Sequence, residues 1–190
     1  MTKKSSYIRT ICEAAIMLAL SQVLSYIRLF EFHNGGSVDI AMLPMIFFAV
    51  RHGFGWGLGT GFIYGIMQYV FGNGIAIDWT TIIADYMLAY AVMGGCAGLF
   101  KGKSWSIFAG CIAGSAGRFI VHLIVGAVVW GKWMPPEFFG MTMTSPWFYS
   151  MLYNGAYMLP DMALITVLAA LIYKPLRKYM VGDDIIKAKG

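Results

Sequence analysis

Six apolar runs divide the chain, at about 8–28, 39–51, 54–72, 79–100, 105–130 and 147–174. Charged positions gather between the runs and are sparse within them. About 20 apolar residues in helical conformation cover the hydrocarbon core of a bilayer. Only helices or closed barrels satisfy every backbone polar group there. The pattern therefore predicts an all-α membrane protein, a six-transmembrane-helix bundle forming a single transmembrane domain over 1–190. The 39–51 run is short, follows the polar stretch Glu31–Ser37 and contains Pro44. It reads as a tilted or partial span. The third run carries glycines at 53, 55, 57, 59, 61 and 65, with a GxxxG spacing at Gly57 and Gly61. Small residues let membrane helices approach closely.

Composition removes the soluble alternatives. The 190 residues are 59% hydrophobic and 12% charged, with a mean hydropathy of +0.68. A soluble domain carries about 25% charged residues. Met-Thr-Lys-Lys leads into the first run with no small-residue cleavage site, so that run reads as a retained span and not a signal peptide. The net charge of +5 sits at run ends, which indicates membrane topology and not nucleic-acid binding. With both termini cytoplasmic, all but three of the 14 Lys and Arg residues fall inside. Arg28 and Lys132 fall outside, and Arg118 lies within a span. The outer connections are then about 29–38, 73–78 and 131–146. The longest holds Trp133, Pro135, Pro136 and Glu137. It reads as a lid or as part of an interfacial aromatic belt. Cys12, Cys96 and Cys111 form no CxxC or Cys/His pattern and read as buried thiols.

Few polar side chains remain at membrane depth. Asp85 lies in the run Trp79–Phe100 with no cation near it in sequence. Such a carboxylate costs about 2.5–3.5 kcal/mol on insertion scales and requires a partner. The partner is Arg118 in a structural ion pair, a coupling ion, or a cationic ligand. Arg118 and His122 are four apart and share a helical face. Trp130 follows eight later, near the same face and toward the outer end. Tyr149 and Asn154 occupy the outer part of the sixth run, and Asp161 follows Pro160. If Arg118 lies deep, Asp161 is its more natural mate and Asp85 stays available for a ligand. Each residue also has a plain structural reading. His122 and Asn154 bridge helices, and Trp130 belongs to the belt.

No nucleophile stands beside a base, no HExxH occurs, and no helix face pairs two carboxylates, so the set does not describe an enzyme. His122 and Asp85 lack further ligands for a metal, and no cofactor is implied. A carboxylate, an imidazole, an amide and several aromatics do suit an amphiphilic, cationic heteroaromatic molecule. In the first run, Ala15 and Ala19 form an AxxxA spacing, a flat strip for close helix contact, and on pattern alone that contact is packing within the bundle.

Several segments together carry a family resemblance: Gly36-Ser-Val-Asp-Ile-Ala-Met-Leu-Pro44, Ala49-Val-Arg-His-Gly53, Gly61-Phe-Ile-Tyr-Gly65, Asp85-Tyr86-Met-Leu-Ala89, Ala97-Gly-Leu-Phe100, His122 with Trp130, and Tyr149-Ser-Met-Leu-Tyr-Asn154. Over about 37–160 the chain resembles the thiamine-specific S components of energy-coupling-factor vitamin transporters. The resemblance implies a six-helix bundle in the bacterial plasma membrane. It implies an outward-facing thiamine pocket near helices 4–6, closed by the loop between helices 1 and 2. By motif match, the pocket residues are Asp85, Tyr86, His122, Trp130, Tyr149 and Asn154. Members often carry Glu where this chain has Asp85. Where some carry an aromatic in the first loop, this chain has Phe30, Phe32 and His33, and no Trp. The resemblance also implies that the AxxxA strip, here Ala15 and Ala19, docks on a transmembrane coupling subunit, which works with two separate ATPase subunits. The chain itself lacks a GxxxxGK[ST] loop. The competing readings are an S component for another vitamin or a thiamine precursor, and a stand-alone proton-coupled carrier using Asp85 or Asp161.

Overall fold

The computed structural model describes residues 3–32, 35–71 and 75–184. His33 therefore lies outside the described residues. Six helical segments run through the described residues: α1 (Lys3–Leu24), α2 (Met42–His52), α3 (Phe54–Val70), α4 (Trp79–Gly98), α5 (Ser106–Val128) and α6 (Pro146–Met180). Four stretches are long and apolar enough to cross a membrane: Ser6–Leu24 in α1, and α4, α5 and α6. The other two are shorter, 11 residues for α2 and 17 for α3. At 1.5 Å per residue, α2 extends only about 16 Å.

The short α2 lies at the centre of the bundle. Met42, Met45, Ile46, Ala49 and Val50 are all buried, packed with Tyr64, Tyr90, Met93 and Ile165 from the surrounding helices. Gly53, at φ 99°, ends α2 and opens α3 in a left-handed conformation that favours glycine. Lys101 Nζ donates to the His52 carbonyl at 3.0 Å, satisfying an end of α2 that has no partner within the helix.

One end of the bundle is tied by ions. Arg51 is buried and donates to Glu13 on α1 at 2.8 and 3.1 Å. It also donates to Asp184, beyond α6, at 2.6 and 2.8 Å, and to the Tyr179 carbonyl at 2.7 Å. Glu13 further meets Arg9 at 2.9 Å and His52 at 2.7 Å. Arg51 and Arg9 hold the Asp184 carboxyl below its usual range.

The glycines of α3 bring α4 into close contact. A Cβ at Gly61 would collide with the Tyr90 carbonyl, and one at Gly65 with the Tyr86 carbonyl. The start of α4 is fixed by a capping box, in which the Asp78 side chain accepts from Thr81 N at 2.9 Å and the Thr81 hydroxyl accepts from the Asp78 backbone. Within α4, Ile82–Leu88 form a π-helical stretch that contains Asp85 and Tyr86. Such stretches are rare and frequent at functional sites.

Several boundaries differ from the sequence reading. α1 ends at Leu24 and not near 28. There the Ser25 hydroxyl donates to the Gln22 carbonyl at 2.7 Å, a local bond that competes with helix propagation. α6 passes through Pro160 and Pro175 and reaches Met180, six residues beyond the apolar run. The thiols are not uniformly buried: Cys111 is, Cys96 is half-buried, and Cys12 is exposed on the outer side of α1. Nearby Ile11, Ile16, Leu20 and Val23 are exposed on α1 as well. Ala15 and Ala19 share this outer surface.

Candidate ligand-binding site

Two short hairpins flank one end of α4–α6. The first pairs β1 (Phe30–Glu31) with β2 (Ser37–Val38). The second pairs β3 (Glu137–Phe138) with β4 (Met141–Thr142), through a two-residue turn with positive φ at Phe139 and Gly140. That turn geometry suits a tight hairpin. The hairpins meet through Phe32, whose ring lies 6.5 and 6.3 Å from Phe138 and Phe139, and 5.8 Å from Tyr153 of α6. Gly36 N donates to the Tyr153 hydroxyl at 3.1 Å, tying the first loop to α6.

Beneath them is a cavity of about 450 Å³, within the usual range of small-molecule sites. All six residues selected from sequence line it: Asp85 and Tyr86 from α4, His122 from α5, Trp130 from the following 3₁₀ turn, and Tyr149 and Asn154 from α6. Gly35, Gly36 and Ser37 of the first loop contribute part of the wall.

Asp85 holds two direct partners. Its Oδ1 lies 3.0 Å from His122 Nδ1, and its Oδ2 accepts from Trp130 Nε1 at 2.8 Å. Trp130 reaches inward because α5 ends at Val128 and the chain tightens into the 3₁₀ turn Trp130–Trp133. Its ring lies 5.8 Å from that of Trp133. Tyr86 donates to the Ile75 carbonyl at 3.1 Å and faces Tyr69. Asn154 Nδ2 donates to the His122 carbonyl at 3.3 Å and to the Ser150 carbonyl at 2.9 Å, and its Oδ1 accepts from Tyr157 at 2.8 Å. The amide therefore bridges α5 and α6 and retains one lone pair on Oδ1. Gly126 allows this approach, because a Cβ there would strike the Ser150 hydroxyl.

The sequence left two mates open for Arg118, and the structure separates them. Arg118 Nη1 lies 4.0 Å from Asp161 Oδ2, with its guanidinium 4.5 Å from the centroid of Tyr90. It touches the Asp85 system only through His122, donating from Nε to Nε2 at 3.3 Å. Asp161 is fully buried and accepts from Asp39 N at 2.9 Å. Asp39 accepts from Ala41 N at 2.9 Å and from the Ser37 hydroxyl at 3.0 Å. Sequence reasoning missed Tyr90 and Asp39 as parts of this floor. Asp39 did carry a signal, a carboxylate at the margin of an apolar run.

No group of three or more His, Cys, Asp or Glu side chains among the described residues could hold a metal ion. The arrangement offers a carboxylate held by an indole and an imidazole in an aromatic wall, with the Arg118–Asp161 pair at its floor.

The family model described as "Thiamine transporter protein" matches residues 11–181. The chain belongs to this thiamine transporter family. The family comprises transport proteins and not enzymes, and the chain is a multi-pass membrane protein. It is 30% identical to the thiamine transporter ThiT of Bacillus subtilis (strain 168), covering 96% of this chain and 99% of that protein. It is 26% identical to the thiamine transporter ThiT of Lacticaseibacillus paracasei, covering 92% and 91%. The solved structure of ThiT from Listeria monocytogenes has the same fold, with a TM-score of 0.80 and 21% identity over 92% of this chain.

Proposed function

We propose that this chain is the thiamine-capturing S component of an energy-coupling-factor importer in the bacterial cell membrane. In this reading the fold spans the membrane six times as one domain, with both termini cytoplasmic, and the cavity opens outward. Thiamine combines a permanently cationic thiazolium with an aminopyrimidine. The observation that carries the reading is Asp85, a carboxylate on the cavity wall whose direct partners are the neutral Trp130 indole and an imidazole. A cation arriving at that wall gains a counter-charge in a low-dielectric site. His122 and Trp130 orient the carboxylate, while Tyr86, Tyr149 and Asn154 supply ring faces and a remaining acceptor. The first loop, tied to Tyr153 through Gly36, acts as the lid.

Family membership and the two ThiT relatives support thiamine as the cargo. The exposed strip at Ala15 and Ala19 supports docking on a transmembrane coupling subunit, with two further subunits hydrolysing ATP. The S component then delivers thiamine inward and is not itself a nucleotide-dependent motor.

Titration of the purified chain with thiamine, riboflavin and a thiamine precursor, read by tryptophan fluorescence, tests the cargo. Saturable, tight binding of thiamine alone is expected. Preference for another vitamin would overturn the assignment. Uptake by the chain alone in proteoliposomes, driven by a proton gradient without an ATPase, would instead establish the stand-alone carrier.

A further inference from the structure

The hydrogen bonds around His122 fix where its proton resides. Arg118 and His122 are one turn apart on α5, and Arg118 Nε donates to His122 Nε2 at 3.3 Å. A guanidinium has donors and no acceptor, so Nε2 must be a bare lone pair. A neutral imidazole with a bare Nε2 carries its hydrogen on Nδ1. That nitrogen lies 3.0 Å from Asp85 Oδ1, so the hydrogen points at the carboxylate. The other carboxylate oxygen receives the Trp130 indole N–H. Asp85 thus receives two hydrogen bonds from neutral groups and no proton-bearing cation as a direct partner.

The other forms of His122 fit poorly. The Nε2–H tautomer sets donor against donor at Arg118 and lone pair against carboxylate at Asp85. The imidazolium sets donor against donor at Arg118, adds a second cation beside it, and supplies Asp85 with a resident counter-ion. From α6, Asn154 and Ser150 approach the His122 carbonyl and not its ring, at 3.3 and 3.5 Å. Arg118 is itself held from three sides, by Asp161, by the Tyr90 ring and by Met42 Sδ at 3.1 Å. Asp161 is held in turn by Asp39 N.

We propose that Arg118 is a positioning residue that keeps Nε2 of His122 bare, so that the imidazole stays in its neutral Nδ1–H form and Asp85 stays an unneutralised carboxylate facing the cavity. The consequence for transport rests on the reading of Asp85 as the counter-charge of a cationic cargo. A deep cation then favours a cationic ligand indirectly, by denying Asp85 a protonated histidine as partner.

Nitrogen-15 NMR of histidine-labelled protein without ligand tests this, with His122 assigned by its loss in His122→Gln. The wild type should show a proton on Nδ1 and a bare Nε2. Arg118→Lys should keep that pattern, because an ammonium also only donates. Arg118→Met should show both ring nitrogens protonated, because Asp85 still holds the Nδ1 hydrogen while nothing opposes one on Nε2, with thiamine affinity falling about tenfold or more, while Arg118→Lys stays within about threefold. A protonated Nε2 in the wild type, or a still-bare Nε2 in Arg118→Met, would overturn the proposal. Should Arg118→Met fail to assemble, the wild-type and Arg118→Lys spectra decide the matter. Failure of the thiamine reading would appear separately, as wild type with this tautomer and no thiamine binding.

Discussion

Asp85 and Trp130 are 45 residues apart in the chain, and the indole N–H of one donates to the carboxylate of the other at 2.8 Å. This bond joins the π-helical stretch of α4 to the 3₁₀ turn after α5. Two irregular backbone segments thus converge on one charge. Trp130→Phe keeps a ring and removes the donor. It leaves a half-buried carboxylate oxygen without its partner, which costs about 1–3 kcal/mol. Thiamine affinity should fall roughly tenfold to a hundredfold, measured by calorimetry, with the helical content unchanged.

The close approach of α3 to α4 sets where Asp85 and Tyr86 stand. At Gly65 a Cβ would meet the Tyr86 carbonyl and lie 2.7 Å from the Met87 Cα. Gly65→Ala changes no atom of the residues proposed to bind. It should nevertheless destabilise the fold by about 1–3 kcal/mol through overpacking and weaken thiamine binding as α4 shifts. Thermal unfolding followed by thiamine titration checks both effects. Unaltered affinity would show that the helix contact does not position the site.

The ionic tie at the far end gives a pH prediction. Asp184 is held below its usual range in the folded protein by Arg51 and Arg9. Its contribution is therefore fully present above the unfolded value, about 3.9. It is lost as pH falls through the lower folded value. Asp184→Asn should lower stability at neutral pH by about 1–2 kcal/mol, allowing for partial solvation. That is a fall of about 2–8 °C in Tm for a chain of this size. The gap between wild type and variant should narrow as the pH drops below 4. A constant gap would contradict the assignment.

Much of this arrangement could be read from sequence, for identifiable reasons. Helical spacing put Arg118 and His122 on one face, and the cost of a lone carboxylate in an apolar run singled out Asp85. The π-helical stretch could not be read, since it depends on which backbone bonds form and leaves no periodic mark in seven residues. The mate of Arg118 stays open in the sequence, which favours Asp161 only if Arg118 lies deep, because the choice depends on how α5 sits against α6. The hairpins at Phe30–Val38 and Glu137–Thr142 have strands of two residues, too short to show alternation. Spacing alone places Trp130 near the face of α5 that carries His122. It reaches Asp85 instead from a turn beyond the helix end.

The proposed function stands or falls on Asp85 as the counter-charge of a cationic cargo. Asp85→Asn keeps the shape of the side chain and removes its charge. Thiamine titration of purified wild type and Asp85→Asn, followed by tryptophan fluorescence, decides whether that charge binds the cargo. Saturable binding by the wild type is expected, with an affinity loss of about 2–4 kcal/mol, roughly thirtyfold to a thousandfold, in a variant that remains assembled. Equal affinity in the two proteins would contradict it.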